Sequence, residues 1–213
     1  VVSSGGGGGS NGTPFKAASG AGAGTETPTQ TTDDKNNVFD DLDGYDWAYE
    51  EITDFAKRGI VLGRSHNKFE PSQSITRAEF VKIIVSILNL KENTSKALMF
   101  EDVKPDDWYY TYVASAYSAG IVNGISDVEF APNVPITRQD AAVILGNCIN
   151  DGDASSATKF SDFEEVAEYA KTAVNRLNSL GILSGYEDNT LRPMKNITRA
   201  EAVKLLYGAQ AYM

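Results

Sequence analysis

The segment Ile75-Thr76-Arg77-Ala78-Glu79 decides the fold, because it returns in closely similar form at 136–140 and again at 197–201. The arginines of the three segments are 61 residues apart, at Arg77, Arg138 and Arg199. A fixed period of this length indicates a repeated structural unit. The chain therefore contains three copies of one module.

Other motifs keep the same register. Each copy opens with Phe-x-Asp, at Phe39, Phe100 and Phe160. A Gly-Ile pair follows, at Gly59-Ile60, Gly120-Ile121 and Gly181-Ile182. A second glycine stands four residues after the first, at Gly63, Gly124 and Gly185. A proline comes next, at Pro71, Pro132 and Pro193.

Each module is predicted to form a helix, a loop and a second helix. In the first module, apolar residues recur at helical spacing from about Asp46 to Arg58, and Gly59 stands where a helix ends with positive φ. The second helix is predicted to begin at Thr76, and its apolar face is too broad for one module to bury. We therefore expect an all-α bundle of three helix-loop-helix repeats with approximate threefold symmetry.

The composition divides the chain into four regions. Residues 1–37 are rich in Gly, Ser and Thr, which is typical of a disordered linker. Repeats are assigned to 38–98, 99–158 and 159–213. The opening Val1-Val2 and glycine run does not resemble a signal peptide, so we expect a piece of a longer or processed protein.

The overall composition excludes several classes of function. The chain has 213 residues and a net charge of −10, which disfavours binding to nucleic acid. One cysteine, Cys148, and one histidine, His66, exclude disulfide frameworks and His-rich zinc sites. No run approaches the roughly 18 apolar residues of a membrane span, so membrane insertion is not expected.

Threonine and an acid at the start of each second helix predict a capping box. Thr76 with Glu79 and Thr198 with Glu201 match the motif fully. In the middle repeat Asp140 replaces glutamate, and its shorter side chain is expected to leave that helix start looser.

The arginine between them has no role in capping, since a cation at the positive end of a helix dipole is disfavoured. A guanidinium beside free backbone N–H groups would attract an anion and match a carboxylate with two hydrogen bonds. The three arginines therefore predict a repeated anion site. The alternative is that each arginine pairs with an acid of its own chain, such as Asp41, Asp102 or Asp162.

An aromatic residue precedes the first glycine by twelve positions, at Trp47, Trp108 and Tyr169. Such residues are more often core than ligand platform, but an indole beside an anion site also suits a sugar ring. Acid clusters at 40–46 and 151–153 invite a calcium interpretation, although neither has EF-hand spacing. We interpret them as helix-start acids and solvated loops.

The succession of these motifs, in order and three times, resembles three tandem S-layer homology domains over residues 38 to about 211. The resemblance implies a three-pronged helical spindle whose inter-repeat grooves bind secondary cell-wall polysaccharide ending in pyruvylated N-acetylmannosamine. The carboxylate of the pyruvate ketal is the kind of anion that the arginine argument requires.

The resemblance also implies site residues. The arginines Arg77, Arg138 and Arg199 would bind the ketal carboxylate, and Gly63, Gly124 and Gly185 would let the backbone approach the sugar. Trp47, Trp108, Asp41 and Asp102 are candidates for the groove wall. The sequence departs from the family pattern at Gln139-Asp140, Tyr169, His66 and Val128, and Val143 replaces the Lys82 and Lys204 of the other repeats.

The function expected from the resemblance is non-enzymatic anchoring of an exported protein to the bacterial cell wall, with upstream cargo domains in the same chain. No cofactor or metal is expected. Two alternatives remain: a calcium-dependent structural module of a surface lattice, and a fragment of a surface polysaccharide hydrolase that uses an acid pair such as Asp106 and Asp107.

Overall fold

A computed structural model describes residues 38–94, 98–149 and 160–213. The predicted linker at 1–37 and the acid cluster at 151–153 lie outside the described residues. Within the described ranges the chain is all-α, as predicted, and its β-structure is limited to isolated β-bridges. The helices are α1 Asp46–Lys57, α2 Arg77–Ile87, α3 Tyr110–Ser118, α4 Arg138–Gly146, α5 Glu168–Ser179 and α6 Arg199–Ala209. Short 3-10 helices cover Phe163–Glu165 and Gln210–Tyr212.

The helices pair between repeats. The second helix of each repeat packs against the first helix of the next, so that α2 meets α3, α4 meets α5 and α6 meets α1. Phe80 and Ile84 of α2 are completely buried. The prediction that neighbouring repeats cover the apolar face of the second helix is therefore confirmed.

Backbone hydrogen bonds join the three repeats in a cycle at the starts of the second helices. The amide of Ile75 donates to the carbonyl of Ile197 at 3.2 Å, and that of Ile136 donates to Ile75 at 3.1 Å. The amide of Ile197 donates to Ile136 at 3.1 Å. The first and third repeats are thus neighbours although they are far apart in sequence.

The ends of the helices follow the sequence motifs. Thr76 with Glu79 and Thr198 with Glu201 form complete capping boxes on α2 and α6. In the middle repeat the Asp140 carboxylate accepts from the Thr137 hydroxyl at 2.6 Å, and α4 has no capping box. The Thr137 hydroxyl accepts from the Asp140 amide at 3.2 Å, but the shorter aspartate does not complete the capping box, and a looser start of this helix stays a prediction. Gly59, Gly120 and Gly181 have φ values of 71°, 74° and 71°, as predicted for helix ends.

The second glycine of each repeat has a packing role. A Cβ at Gly63 would lie 3.0 Å from the ring of Phe39, and a Cβ at Gly185 would lie 2.8 Å from the ring of Phe160. The phenylalanine of each Phe-x-Asp motif therefore fills the space that a side chain would need.

Gly124 gives a direct test of this packing. A Cβ there would meet the ring of Phe100 at 2.6 Å, the carbonyl of Glu129 at 2.5 Å and the carbonyl of Ser126. We expect Gly124→Ala to lower the free energy of unfolding by about 1–3 kcal/mol, measured by urea denaturation. Gly208→Ala is the matched control, since nothing lies within 4 Å of the position that its Cβ would take in α6. This substitution should raise the free energy of unfolding by about 0.5–1 kcal/mol. Equal changes in the two variants would contradict the packing argument.

Candidate functional site

A cleft of about 560 Å³ lies where the three repeats meet beside α6. Arg138 comes from the second repeat, Tyr186 and Lys204 from the third, and Trp47 from the first. Gly185 and Glu201 also line this cleft, which we call groove 3. It brings together one predicted arginine, one predicted glycine and one predicted tryptophan.

Arg138 enters groove 3 from the preceding repeat. Its Nη2 donates to the carbonyl of Ser184 at 2.7 Å, and its guanidinium carbon lies 5.1 Å from the ring centroid of Tyr186. Its Nε is buried and has no hydrogen-bond partner among the described residues. The guanidinium is thus held by one carbonyl and one ring, which leaves donors for a ligand.

The other two arginines make the equivalent contact, each with the repeat that follows its own. Arg77 Nη2 donates to the carbonyl of Asn123 at 2.9 Å, and Arg199 Nη2 donates to that of Leu62 at 2.8 Å. Each accepting carbonyl directly precedes the second glycine of the next repeat. The arginine of one repeat therefore belongs to the groove of the following repeat.

Arg199 is the most deeply buried of the three, with 6% of its surface exposed. Its Nε donates to the carbonyl of Phe69 at 2.8 Å, and its guanidinium lies 4.5 Å from the centroid of that ring. Its Nη1 lies 3.8 Å from Glu79. Burial lowers the pKa of Arg199 to about 10 although Glu79 acts in the opposite direction. Arg199 is thus held by two carbonyls, a ring and a carboxylate of the first repeat, and its contact with Glu79 is an instance of the alternative in which the arginine pairs with an acid of its own chain.

Arg199 lies in a second cation cluster, which we call groove 1. Its members are Arg64, Glu79, Lys82, Trp108 and Arg199. In the register of the repeats they are equivalent to the residues of groove 3, which are Tyr186, Glu201, Lys204, Trp47 and Arg138. Arg64 Nη2 is 2.8 Å from Glu79 Oε2, and Lys82 Nζ is 5.8 Å from the ring centroid of Trp108. Burial lowers the pKa of Lys82, and the charge of Arg199 lowers it further against the influence of Glu79.

The third set, groove 2, surrounds Arg77 and has a different chemistry. Its members at the equivalent positions are Arg77, Ile125, Asp140, Val143 and Tyr169. The phenol of Tyr169 donates to Asp140 Oδ1 at 2.7 Å and accepts from Gln139 Nε2 at 3.0 Å. Burial and the bond to Asp140 raise the pKa of Tyr169 to about 12, so the phenol is neutral. Groove 2 therefore holds a hydrogen-bonded network of one carboxylate, one neutral phenol and one amide beside a single arginine.

The aspartates of the Phe-x-Asp motifs stabilise the loops. Asp41 accepts from the amides of Phe69 and Glu70 at 2.9 and 2.8 Å, and Asp102 accepts from Phe130 and Ala131 at 2.9 and 2.7 Å. In the third repeat Asp162 binds the equivalent amides of Leu191 and Arg192. These acids bind backbone amides, which differs from the alternative in which they pair with the arginines. A contact of Asp41 or Asp102 with a glycan stays a prediction.

The two tryptophans differ in exposure. Trp47 is 47% exposed and lines groove 3, whereas Trp108 is half-buried beside Lys82. Trp108 lies beside Lys82, and Trp47 lines the same cleft as Lys204, positions from which an indole could contact a sugar ring.

Sequence reasoning missed Arg64 and Tyr186, which follow the second glycine of their repeats. The third member of this position is Ile125. The three residues share no chemistry, so a comparison of repeats passes over the position. The change of residue type at this position from repeat to repeat could have identified it, because this change makes the grooves chemically different.

The acid clusters in the described part of the chain do not form a metal site. No group of three or more His, Cys, Asp or Glu residues within the described ranges could hold a metal ion. Of the acid pair considered for hydrolysis, Asp107 accepts from the amide of Lys104 at 2.7 Å in a turn.

Fold and site together define a module built from helical repeats, with a cleft formed between the repeats. The model of the S-layer homology domain family matches this chain three times, at residues 38–81, 100–142 and 159–203. The chain belongs to the S-layer homology family.

Relatives include both surface-layer proteins and enzymes. The chain is 35% identical over 178 residues to an amylopullulanase of Thermoanaerobacterium thermosulfurigenes, covering 81% of this chain and 9% of the relative. It is 35% identical over 179 residues to an exoglucanase of Acetivibrio thermocellus, covering 82% of this chain and 16% of the relative. It is 33% identical over 168 residues to a surface-layer 125 kDa protein of Lysinibacillus sphaericus, covering 78% and 14%. The chain thus spans less than a fifth of each of these relatives.

These matches indicate a cell-surface location and a general role in anchoring at the cell surface. The matched region is the non-catalytic part that the enzymes share with the surface-layer proteins. Among residues 38–94, 98–149 and 160–213, no helix has the length and apolar character needed to cross a membrane.

Proposed function

We propose that this chain anchors an exported protein non-covalently to the bacterial cell wall by binding pyruvylated secondary cell-wall polysaccharide in the grooves between its repeats. The observation that supports this most is groove 3, where a guanidinium, a lysine and an exposed indole face one cleft. A small sugar with a fixed carboxylate presents an anion to the cations and an apolar ring face to the indole.

The sugar carboxylate would bind the donors that the protein leaves open. Arg138 lines the cleft and uses Nη2 for one backbone carbonyl, so its terminal nitrogens retain N–H donors for a carboxylate. Each charge-assisted hydrogen bond to a carboxylate contributes about 1.5–3 kcal/mol. Several grooves on one chain would raise retention on a repeating polymer through effective concentration. The net charge of −10 is screened beyond about 8 Å at physiological salt, so the local cations decide binding.

The cargo would be carried in the same chain as this region. The enzymes and the surface-layer protein among the relatives are much longer than the part matched here. We propose that upstream domains are cargo held at the wall by the repeats.

Binding to purified wall sacculi tests the polymer. We expect untreated sacculi to retain the protein and sacculi stripped with hydrofluoric acid to release it, because the acid removes the secondary polymer. Co-sedimentation of a dilution series measures the retained fraction. Equal retention on both preparations would refute the proposal.

Competition tests the ketal separately. The methyl glycoside of pyruvylated N-acetylmannosamine should displace the protein from untreated sacculi, whereas the same glycoside without the ketal should not. Displacement by both sugars alike would show that the carboxylate has no part in recognition.

A further inference from the structure

The three grooves carry different numbers of cations. Groove 1 has Arg64, Lys82 and Arg199, and groove 3 has Arg138 and Lys204, with Lys195 bound to Tyr186 at 3.1 Å. At the positions of groove 2, Arg77 is the one cation among the described residues, since the other equivalent positions are Ile125, Val134 and Val143. A carboxylate entering groove 2 would therefore meet one guanidinium where the other grooves offer three positive groups.

The acids of the three grooves also differ. Every groove has one acid from the first turn of its second helix, namely Glu79, Asp140 or Glu201. In groove 1 Glu79 is bound by Arg64 at 2.8 Å, and in groove 3 Glu201 lies 3.7 Å from Lys195. The further acids Glu70 and Glu51 pair with Arg64 and Lys204. In groove 1 Glu79 also lies 3.8 Å from Arg199 Nη1, and in groove 3 the lining includes a third acid, Glu187. The grooves therefore differ in the number of cations that can contact a carboxylate, and not simply in net charge.

In the described part of the chain, the first-turn acid of groove 2 forms no salt bridge with a lysine or a second arginine. Burial lowers the pKa of Arg77 and Asp140 acts in the opposite direction, as Glu79 does for Arg199 in groove 1. Its Oδ1 is 2.7 Å from the phenol of Tyr169, which ties α4 to α5 across the groove. An anionic sugar would have to enter beside Asp140 with only Arg77 to compensate.

We infer that groove 2 has lost the anion site and that one chain binds two carboxylate-bearing glycan ends, in grooves 1 and 3. The inference rests on the proposed function and deepens it. The inference also changes which groove is affected by the unusual residues of the middle repeat. Because each arginine reaches forward into the next repeat, Asp140 and Val143 alter the groove of Arg77 and leave Arg138 in an ordinary groove.

Calorimetry with the methyl glycoside of pyruvylated N-acetylmannosamine gives the stoichiometry, which we expect to be two. The chain has two tryptophans, Trp108 in groove 1 and Trp47 in groove 3, so both indole N–H signals should shift during an NMR titration. A stoichiometry of three or of one would overturn the inference while leaving the proposed function standing. The absence of any binding would overturn both.

Three substitutions at one repeat position provide matched variants. Lys82→Met and Lys204→Met should each weaken one of the two sites about ten- to hundredfold, whereas Val143→Met should leave both unchanged. In the reverse direction, Ile125→Arg with Val143→Lys gives groove 2 the cations of groove 1 and should raise the stoichiometry to three. A weakened site in Val143→Met, or a stoichiometry that stays at two in the double variant, would overturn the inference.

Discussion

Removal of residues 160–213 is expected to abolish wall binding entirely instead of reducing it by a third. Each groove takes residues from all three repeats: groove 1 joins Arg199 of the third repeat to Arg64 of the first and Trp108 of the second. The deletion also exposes the face of α1 that packs on α6, where the rings of Phe55 and Tyr207 lie 5.1 Å apart. Repeats that cannot bury their faces alone lose stability together.

Circular dichroism during heating and co-sedimentation with sacculi measure the two effects. We expect no cooperative transition in the shortened chain and at least about a hundredfold weaker retention, since multivalent binding and the grooves are lost together. A chain that begins at residue 38 is the control, because the family model matches no residue before 38, and it should bind as the full chain does. Retention of two thirds of the binding would show that each repeat acts alone.

Local features of the fold could be predicted from the sequence because each depends on a few adjacent residues. The starts of α2 and α6 follow from Thr76 and Thr198 with their glutamates, and the end of α1 follows from Gly59. The incomplete cap of α4 follows from the shorter side chain of Asp140. These motifs act within one turn of helix, so their spacing alone identifies them.

The contacts between repeats could not be predicted in the same way. The arginines donate to backbone carbonyls in the next repeat, at Leu62, Asn123 and Ser184. Because every residue type has a backbone carbonyl, these contacts cannot be recognised from the sequence. The same reason hides the role of Asp41 and Asp102, whose carboxylates bind loop amides. The amides of Glu70 and Ala131 are the second pair of loop amides that bind these aspartates, and both residues have φ near 60°. This left-handed conformation costs energy for a residue other than glycine, and the hydrogen bond to the aspartate stabilises it.

The largest effect of a single substitution is expected at Arg199. Sequence reasoning treats an arginine at a helix start as unimportant for stability, but Arg199 is 6% exposed and donates to two carbonyls of the first repeat. Arg199→Ala removes both bonds, the contact with the ring of Phe69 and a charge near Glu79. We expect it to lower the free energy of unfolding by about 2–4 kcal/mol, since the acceptors stay buried without partners.

Arg138→Ala is the matched control, because Arg138 is half-buried and donates to one carbonyl instead of two. It should lower the free energy of unfolding by about 1 kcal/mol, the usual contribution of one hydrogen bond. Urea denaturation of both variants gives the comparison. Equal losses in the two would mean that the buried contacts of Arg199 do not hold the third repeat against the first.

The difference between these two arginines decides how a loss of binding should be interpreted. A binding defect in Arg199→Ala combines a missing ligand contact with a weakened junction between the first and third repeats, and that junction also forms groove 1. A defect in Arg138→Ala reports mainly on groove 3, because its fold is nearly intact. If both variants lose binding in proportion to their loss of stability, the arginines act through the fold. If Arg138→Ala loses far more binding than its stability explains, the guanidinium contacts the glycan itself.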